Sequence, residues 1–442
     1  MTARDSLGGA RSALIYIALA AGVIGEPRLA WFVGAPAVVL AIVLSWPRLN
    51  RIPRVIITAV LAAIAAALAL DPALLGPGFM TITRLAALIV GVMLLAHVLG
   101  NSRHLAIISE HLFAGRALTR YLSITFGTLF LAMPLNFGSV SVVSTLIGRE
   151  IDTHGDSHGT RNAARAVLRG FGSASLCSPL SIAVVLTLTL VPGLHGWQLI
   201  GLTFPLAASY LLFGTVFREN ENDTPDAPDR QAPDHVLPSW LFFGGCIGLI
   251  CIATFASRAF LGLAYAQAVT CSCLLVVVIG LAGSPHGQRK PPRMDSIGNE
   301  VAIICGSAFL GATLSAFVSS RLGAAFELPA WAFPAIALGL PWTLFAGGLI
   351  GVNPLILVTM VGGLSGQLWP AGAGLGLAVA MVCGWGLTIA GTPYSANALL
   401  VQRLTGYDNW RITVHWSARL SLIALTLASL LAAGLTLALM RG

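Results

Sequence analysis

The sequence has few charged residues: Asp, Glu, Lys and Arg make up 10% of its 442 residues, whereas hydrophobic residues make up 56%. Soluble domains are typically about 25% charged, so this composition excludes an ordinary soluble protein. Apolar runs long enough to cross roughly 30 Å of hydrocarbon recur along the whole chain, with no soluble domain between them. We therefore predict an all-α polytopic integral membrane protein.

Carboxylates are missing from the interior of the apolar runs. All 17 Asp and Glu residues fall in loops, in tails or at the ends of predicted spans. A proton pump built on a membrane-embedded carboxylate relay needs at least one such group, so the sequence argues against that mechanism. His97 is the one midspan titratable side chain besides the cysteines, and we interpret it as bonded to a neighbouring backbone carbonyl.

Metal-ligand spacing and enzyme motifs are also lacking. The seven cysteines lie in apolar runs, and the chain has no Gly-rich phosphate loop, nucleophile elbow or H-E-x-x-H sequence. Asp152, His154, Asp156 and His158 alternate in IDTHGDSHGTRN, which we interpret as a solvated turn rather than a metal site. The prediction is a protein that is not an enzyme, with no metal site and no cofactor other than a sodium ion in a coupling role.

Basic residues are concentrated in particular loops. If the N-terminus is cytoplasmic, the N-terminal tail and the predicted cytoplasmic loops hold 20 of the 25 Lys and Arg residues, and these loops lie at 46–54, 101–120, 149–169, 217–239, 284–296 and 402–419. This is the positive-inside pattern, so the net charge of +8 needs no nucleic-acid partner. We expect a bacterial inner (plasma) membrane protein with a cytoplasmic N-terminus.

Eleven transmembrane helices fit between these loops. They are predicted at 12–25, 29–46, 55–70, 81–100, 172–191, 199–216, 240–256, 263–283, 298–317, 375–401 and 418–438. The apolar segments 121–148 and 331–363 remain, and each must return to the side from which it starts. Their polar breaks, LNFGSVS and GVNP, mark the tips of two predicted re-entrant hairpins, because irregular backbone at membrane depth must be buried in protein or line a cavity.

The polar, proline-bearing segment 217–239 is interpreted as a cytoplasmic linker between two halves, 1–216 and 240–442. Each half has scaffold helices, a hairpin and a helix broken by a Ser/Thr-Pro-x-Ser sequence, predicted at 172–191 and 375–401. The first half also has a predicted amphipathic arm helix within Asn101 to Tyr121, at the cytoplasmic surface.

The spacing within the two halves is similar. The separation of Gly138 and Pro179 differs by one position from the separation of Gly351 and Pro393, and each pair joins a hairpin break to the SPLS or TPYS sequence of the same half. Because the two hairpins enter from opposite sides, the pattern predicts an inverted repeat. Transporters with such repeats bind their solutes near the midplane, where the discontinuous helices of the two halves meet.

Four stretches, LNFGSVS, GSASLCSPLS, GVNP and GTPYSAN, together with this layout, resemble the ion transporter superfamily. Its members include divalent anion:sodium symporters, arsenite permeases and the large subunits of tripartite periplasmic-binding transporters. In the symporters the hairpin tips carry Ser-Asn-Thr; here Asn136 and Asn353 match the asparagine, but the order of the motif differs. The resemblance implies an elevator-type mechanism and a homodimeric scaffold.

Hydroxyls, amides and interrupted backbone are the polar groups left to bind a solute. Opened helices supply carbonyls for a sodium ion and N–H groups for an anion. The predicted substrate- and ion-binding residues are Asn136, Ser139, Ser141, Ser173, Ser175, Ser178, Ser181, Asn353, Thr388, Thr392, Ser395 and Asn397.

These residues predict a cation-coupled secondary transporter of a small, anionic, carboxylate-like organic solute. One alternative is an exporter of arsenite or another oxyanion. The other is a membrane-embedded enzyme or assembly component acting on lipid-linked material, for which His104, Glu110 and His111 form the one fitting cluster.

Overall fold

A computed structural model describes residues 3–221, 236–283, 292–294, 297–322 and 328–441. Most of the predicted linker, residues 222–235, lies outside the described ranges. Within them the chain is helical, and its α-helices are α1 (Ala3–Ile24), α2 (Pro27–Leu29), α3 (Ala35–Ser45), α4 (Arg51–Leu70), α5 (Gly76–Gly100), α6 (Arg103–His111), α7 (Ala117–Leu135), α8 (Phe137–His154), α9 (His158–Cys177), α10 (Ile182–Leu190), α11 (Gly196–Phe213), α12 (Val236–Leu261), α13 (Tyr265–Gly283), α14 (Gly298–Leu322), α15 (Ala332–Leu349), α16 (Pro354–Leu368), α17 (Gly374–Gly391), α18 (Ala396–Thr405) and α19 (Ala418–Arg441).

Thirteen helical segments of the described ranges are long and apolar enough to cross a membrane. Eleven coincide with the predicted spans, counting α9 with α10 and α17 with α18 as one segment each. The other two, Ala117–Leu135 and Ala332–Leu349, are the first helices of the two predicted hairpins. The prediction of an all-helical chain with the helices of a polytopic membrane protein is confirmed.

The start of the first broken helix was wrongly placed. It was predicted at residue 172, but α9 begins at His158, where Ser157 and Thr160 form a capping box. Arg165 and Arg169, assigned to a cytoplasmic loop, therefore lie within the helix and are buried. An apolar window excludes such residues because it cannot anticipate the distant side chains that surround them.

Two further local predictions need correction. The arm helix predicted within 101–121 is confined to Arg103–His111, and Gly115, with φ +84°, separates it from α7, which begins at Ala117. In IDTHGDSHGTRN, residues Asp152 and His154 belong to α8, so the turn is confined to the three residues between α8 and α9. Backbone hydrogen bonds continue the helix through this polar sequence.

Contacts divide the chain into two compact units, and both predicted halves contribute to each. The first unit comprises Met1–Val98, Leu249–Glu327 and Val358–Leu368; the second comprises Leu99–Gly248, Leu328–Leu357 and Trp369–Gly442. In the first unit α1 packs on α3, and α4 packs on α14.

The core of the second unit is formed by α9 and α17. From Gly376 to Gly391 every residue of α17 is buried, and so are nearly all residues of α9 after its first turn. The helix α9 contacts α7, α8 and α11, whereas α17 contacts α15 and α19, and the two central helices contact each other. Both interrupted helices are thus enclosed by protein, where opened backbone is tolerated.

Candidate functional site

The central helices α9 and α17 cross where each has a glycine. A β-carbon on Gly172 would lie 2.6 Å from the carbonyl oxygen of Gly386 and 2.8 Å from Cβ of Ala390. A β-carbon on Gly386 would in turn lie 2.6 Å from the carbonyl oxygen of Gly172 and would overlap Leu176. Side chains larger than hydrogen are therefore excluded at both positions, because the two backbones are in contact.

The contacts at this crossing are reciprocal and antiparallel. Gly172 faces residues 386–390, and Gly386 faces residues 172–176. The contacted residue numbers on α17 therefore decrease as the residue numbers on α9 increase, which is the pattern of antiparallel helices. The offset from Gly172 to Gly386 equals the offset from Leu176 to Ala390, and SPLS and TPYS are separated by the same offset.

Both helices break five residues beyond these glycines, and the two breaks have the same internal hydrogen bond. Ser181 begins α10 as its N-cap, and its Oγ donates to the carbonyl oxygen of Ser175 at 2.9 Å. Ser395 begins α18 in the same way, and its Oγ donates to the carbonyl oxygen of Ile389 at 3.0 Å. Each serine thus bonds a carbonyl six residues earlier and fixes the opened segment.

The loop between α7 and α8 is reduced to Asn136. Its φ of 50° and ψ of −128° make it the one non-glycine residue with positive φ among the described residues. Such a conformation costs about 1–3 kcal/mol and is found preferentially at ligand sites. The half-buried side-chain amide of Asn136 makes no hydrogen bond with the described part of the chain, so it is available to a ligand.

The loop between α15 and α16 is longer and is built differently. Gly351 has a φ of +86° and lies against the ring of Tyr394 in the second helix break. Asn353 is the N-cap of α16, and its Oδ1 accepts a hydrogen bond from the amide of Leu355 at 2.9 Å. The two asparagines predicted at the hairpin tips therefore have different roles, since only Asn136 has an unbonded amide.

All twelve predicted site residues lie in the second unit. The side chains of eight of them form a hydrogen bond with another group of the protein, and these eight are Ser139, Ser175, Ser178, Ser181, Asn353, Thr388, Thr392 and Ser395. The side chains of the other four, Asn136, Ser141, Ser173 and Asn397, form none with the described residues.

Two of these four are fully enclosed. Asn397 is 2% exposed and its Oδ1 has no partner in the described residues, and the same holds for Oγ of the completely buried Ser173. Leaving a buried polar group without a partner costs about 1–3 kcal/mol. A bound polar solute or ion would remove that cost, which makes these two residues the best supported members of the site.

The position of Asn397 follows from the packing of α18 on α8. A β-carbon on Gly148 would touch the carbonyl oxygen of Leu404, and Tyr407, just after α18, donates to Oδ1 of Asp156 at 2.6 Å, just after α8. These contacts occur in the same order on both helices, so the helices run parallel. Asn397 lies in the first turn of α18, the end of that helix nearer to the second break.

Two residues near this site escaped the sequence analysis. Ser144 is fully buried, and its Oγ has no partner in the described part of the chain; it shares the face of α8 that carries Ser141 and Gly148. The i, i+3, i+7 spacing was the available signal. Asn409 is buried, and its Nδ2 donates to the carbonyl oxygen of Pro393 at 2.8 Å. No local pattern marks Asn409, because its partner lies 16 residues away.

A separate cavity of about 400 Å³ lies near the ends of α8 and α18, and it is lined by Asp156, Arg161, Gly406, Tyr407, Asp408, Arg411, His415 and Trp416. None of the twelve predicted residues lines it. Hydrogen bonds from Arg161 hold the pKa of Asp156 below its usual range, and burial together with the bond to Asp156 raises the pKa of Tyr407. The hydrogen bond between Tyr407 and Asp156 joins the ends of α18 and α8.

The cluster considered for an enzyme has one member with defined contacts. Nδ1 of His104 lies 3.1 Å from Oγ of Ser239, and its ring stacks on Phe242. Within the described residues there is no group of three or more His, Cys, Asp or Glu side chains that could hold a metal ion.

No protein-family model matches the sequence, and no curated protein matches it either. The resemblance to the ion transporter superfamily therefore continues to rest on the four sequence stretches and on the layout.

Proposed function

We propose that the protein is a secondary active transporter of a small, anionic, carboxylate-like organic solute, coupled to a cation and working by elevator-type alternating access. The observation that carries the proposal is the pair of matched helix breaks, joined by the antiparallel crossing at Gly172 and Gly386. Two equivalent broken helices in opposite orientation are what an inverted repeat would produce, and such repeats are typical of secondary transporters.

The chemistry of the breaks supports a site for both an anion and a cation. The helices α9 and α17 end at the breaks and direct carbonyl groups there, whereas α10 and α18 begin there and direct N–H groups. Carbonyl, hydroxyl and amide oxygens suit sodium, and helix N-termini suit a carboxylate. The unbonded amides of Asn136 and Asn397 and the hydroxyl of Ser173 would complete the solute contacts.

The roles proposed for the two units follow from the position of the candidate site. Because the second unit holds all twelve candidate residues, we assign it the transport role and assign the first unit the scaffold role, with a homodimer formed through the scaffold. The distribution of basic residues supports a cytoplasmic N-terminus in a bacterial inner membrane.

Reconstitution into proteoliposomes tests this function. Uptake of radiolabelled carboxylates is measured with an inward sodium gradient and then with an inward proton gradient, and we expect sodium-driven accumulation that Asn397→Leu reduces at least tenfold. Gly201→Ala, at an exposed position with open space around it, is the matched control and should leave uptake unchanged.

Three results would decide against the proposal. Absence of accumulation for every organic and inorganic anion under both gradients would overturn transport itself. Potential-driven movement of arsenite alone would favour the oxyanion exporter. Loss of an activity on lipid-linked material in a His104, Glu110 and His111 triple variant, with no anion uptake in the wild type, would favour the enzyme.

A further inference from the structure

Around the first turns of α9 the second unit contains a cluster of ion pairs. Arg120 pairs with Glu221, Arg161 with Asp156 at 2.5 Å, and Arg165 with Glu219 at 3.0 Å. Each of these arginines thus has a carboxylate partner. The cluster includes a fourth arginine, Arg169, one turn further along α9.

Arg169 differs from the other three because its contacts are to neutral groups. One guanidinium nitrogen donates to the hydroxyl of Tyr121 at 2.7 Å and to the carbonyl oxygen of Gly214 at 3.1 Å, and the other contacts Oγ of Ser417 at 3.5 Å. Its Nε has no partner, and no carboxylate of the described residues pairs with it. Arg169 is 1% exposed, so neither water nor a carboxylate of the described ranges is in direct contact with its charge.

A guanidinium keeps its proton in proteins, so this site holds a permanent positive charge inside the second unit. Burying such a charge without a counter-ion is costly. The equivalent position of α17, at the offset that relates Gly172 to Gly386, is the neutral Cys383. The charge therefore belongs to one of the two broken helices only.

The charge lies near enough to the first helix break to act on a bound solute. Ser178 follows Arg169 by nine residues, which is about 13 Å along the axis at 1.5 Å per residue. At an effective dielectric constant of about 20, two unit charges at that separation change an affinity roughly tenfold. The carbonyl ends of α9 and α17 place partial negative charge at the breaks, and Arg169 offsets it.

We propose that Arg169 determines the sign of charge that the site accepts, so that each negative charge on the solute strengthens binding roughly tenfold. This inference rests on the proposed function and assigns its substrate class electrostatically. Arg169 does not touch the solute; it acts through the interior of the second unit. A dianion is favoured over a monoanion, and a monoanion over a neutral isostere.

The experiment uses three probes of nearly equal shape: succinate, its monoamide and its diamide. If the transport assay identifies another carboxylate, that compound and its amides replace them. Dissociation constants come from ligand-induced thermal stabilisation of the purified full-length protein. Arg169→Gln should weaken succinate binding about a hundredfold and monoamide binding about tenfold, without changing diamide binding. Arg169→Lys, which keeps the charge, should restore the wild-type order.

Two controls separate charge from structure. Tyr121→Phe removes a hydrogen bond to Arg169 but keeps its charge, and it should leave all three constants within about threefold of wild type. The double variant Arg120→Gln/Glu221→Gln removes a neutral pair and should also leave the order unchanged. If Arg169→Gln does not fold, Arg169→Met removes the charge with an apolar side chain that needs no hydrogen bonds, and it should give the same graded losses. Equal losses for all three probes in that variant would assign Arg169 a purely structural role.

Failure of the Arg169 inference can be distinguished from failure of the proposed transport function. Sodium-driven uptake of a carboxylate combined with equal losses for all three probes in the Arg169 variants overturns this inference and leaves the transport function standing. A wild-type protein that binds none of the anionic probes, or that binds the diamide most tightly, overturns the inference as well. Absence of any anion uptake in the proteoliposomes overturns the proposed function.

Discussion

Asn409 supports the second helix break through Pro393. Its buried Nδ2 donates to the Pro393 carbonyl oxygen at 2.8 Å, and its Oδ1 accepts from the amide of Trp410 at 2.9 Å. The side chain of Asn409 therefore satisfies a carbonyl that the broken helix exposes. Asn397, in the first turn after the same break, is equally enclosed but has no such partner.

This difference predicts opposite behaviour for two similar substitutions. Asn397→Leu should leave the melting temperature nearly unchanged, because an unpaired amide is replaced by an apolar group of similar size, but it should weaken solute binding at least tenfold. Asn409→Leu should lower the free energy of unfolding by about 1–3 kcal/mol, since the Pro393 carbonyl loses its donor. Thermal unfolding and binding titrations measure both. Unchanged solute affinity in Asn397→Leu would return that residue to a packing role.

The backbone at Asn136 gives a second prediction. Asn136→Gly should raise the free energy of unfolding by about 1 kcal/mol, because glycine adopts a φ of 50° without the strain that a side chain adds there. The same variant should lose solute affinity, since the unbonded amide is removed. Gly351→Ala, which introduces a side chain at a φ of +86°, is the control and should destabilise the protein. An Asn136→Gly variant that is less stable than wild type would contradict the strain argument.

The crossing of α9 and α17 gives a third prediction, which concerns stability. Gly386→Val should lower the free energy of unfolding by about 1–3 kcal/mol or more, because the added carbons would overlap Leu176 and the Gly172 carbonyl. Gly201→Ala on α11 is surrounded by open space, and it should be neutral or slightly stabilising. Thermal unfolding in detergent compares the two. Equal stability of the Gly386→Val variant and wild type would show that the helices do not need this close approach.

The fourth prediction concerns pH. The folded-state pKa of Asp156 is lowered by its hydrogen bonds to Arg161, so the carboxylate stabilises the fold above its unfolded-state pKa of about 3.9. This contribution disappears as the pH falls through the lower folded-state pKa. Asp156→Asn should therefore cost at most about 1 kcal/mol at pH 7, because the side chain is 45% exposed.

The stabilities of wild type and Asp156→Asn should converge as the pH falls below the folded-state pKa of Asp156, because the protonated carboxyl is neutral like the asparagine amide. Asp152→Asn is the control, since the exposed carboxylate of Asp152 has no hydrogen bond in the described residues. The stability of this variant should equal that of wild type both at pH 7 and at low pH. A difference between wild type and Asp156→Asn that persists at low pH would assign the effect to packing.

The helix breaks could be predicted from the sequence because their causes are local. Proline removes a backbone donor, and the serine four residues after each helix end caps the next helix. The sequence SPLS and its counterpart TPYS contain both signals, and the observed ends at Cys177 and Gly391 follow from them. The polar tips at Asn136 and Asn353 were visible for the same reason.

Other features depended on residues far away in the chain. The start of α9 was missed because Arg165 is compensated by Glu219, 54 residues later, and packs on the ring of Trp416. Ser395 caps α18, whereas Oδ1 of Asn397 has no partner among the residues that the structure describes, and distinguishing the two required side-chain geometry. A single sequence shows which groups are polar, but it does not show which of them are already satisfied.

The constant offset between the two breaks also bears on how such a chain could arise. Under the proposed inverted repeat, the contact between Gly172 and Gly386 is one that two identical half-length chains would form across a shared axis. Duplication and fusion of one gene would turn that intermolecular contact into an intramolecular one. Each half can then change independently. Arg169 and Cys383, at equivalent positions of the two broken helices, are a difference that two identical chains could not have.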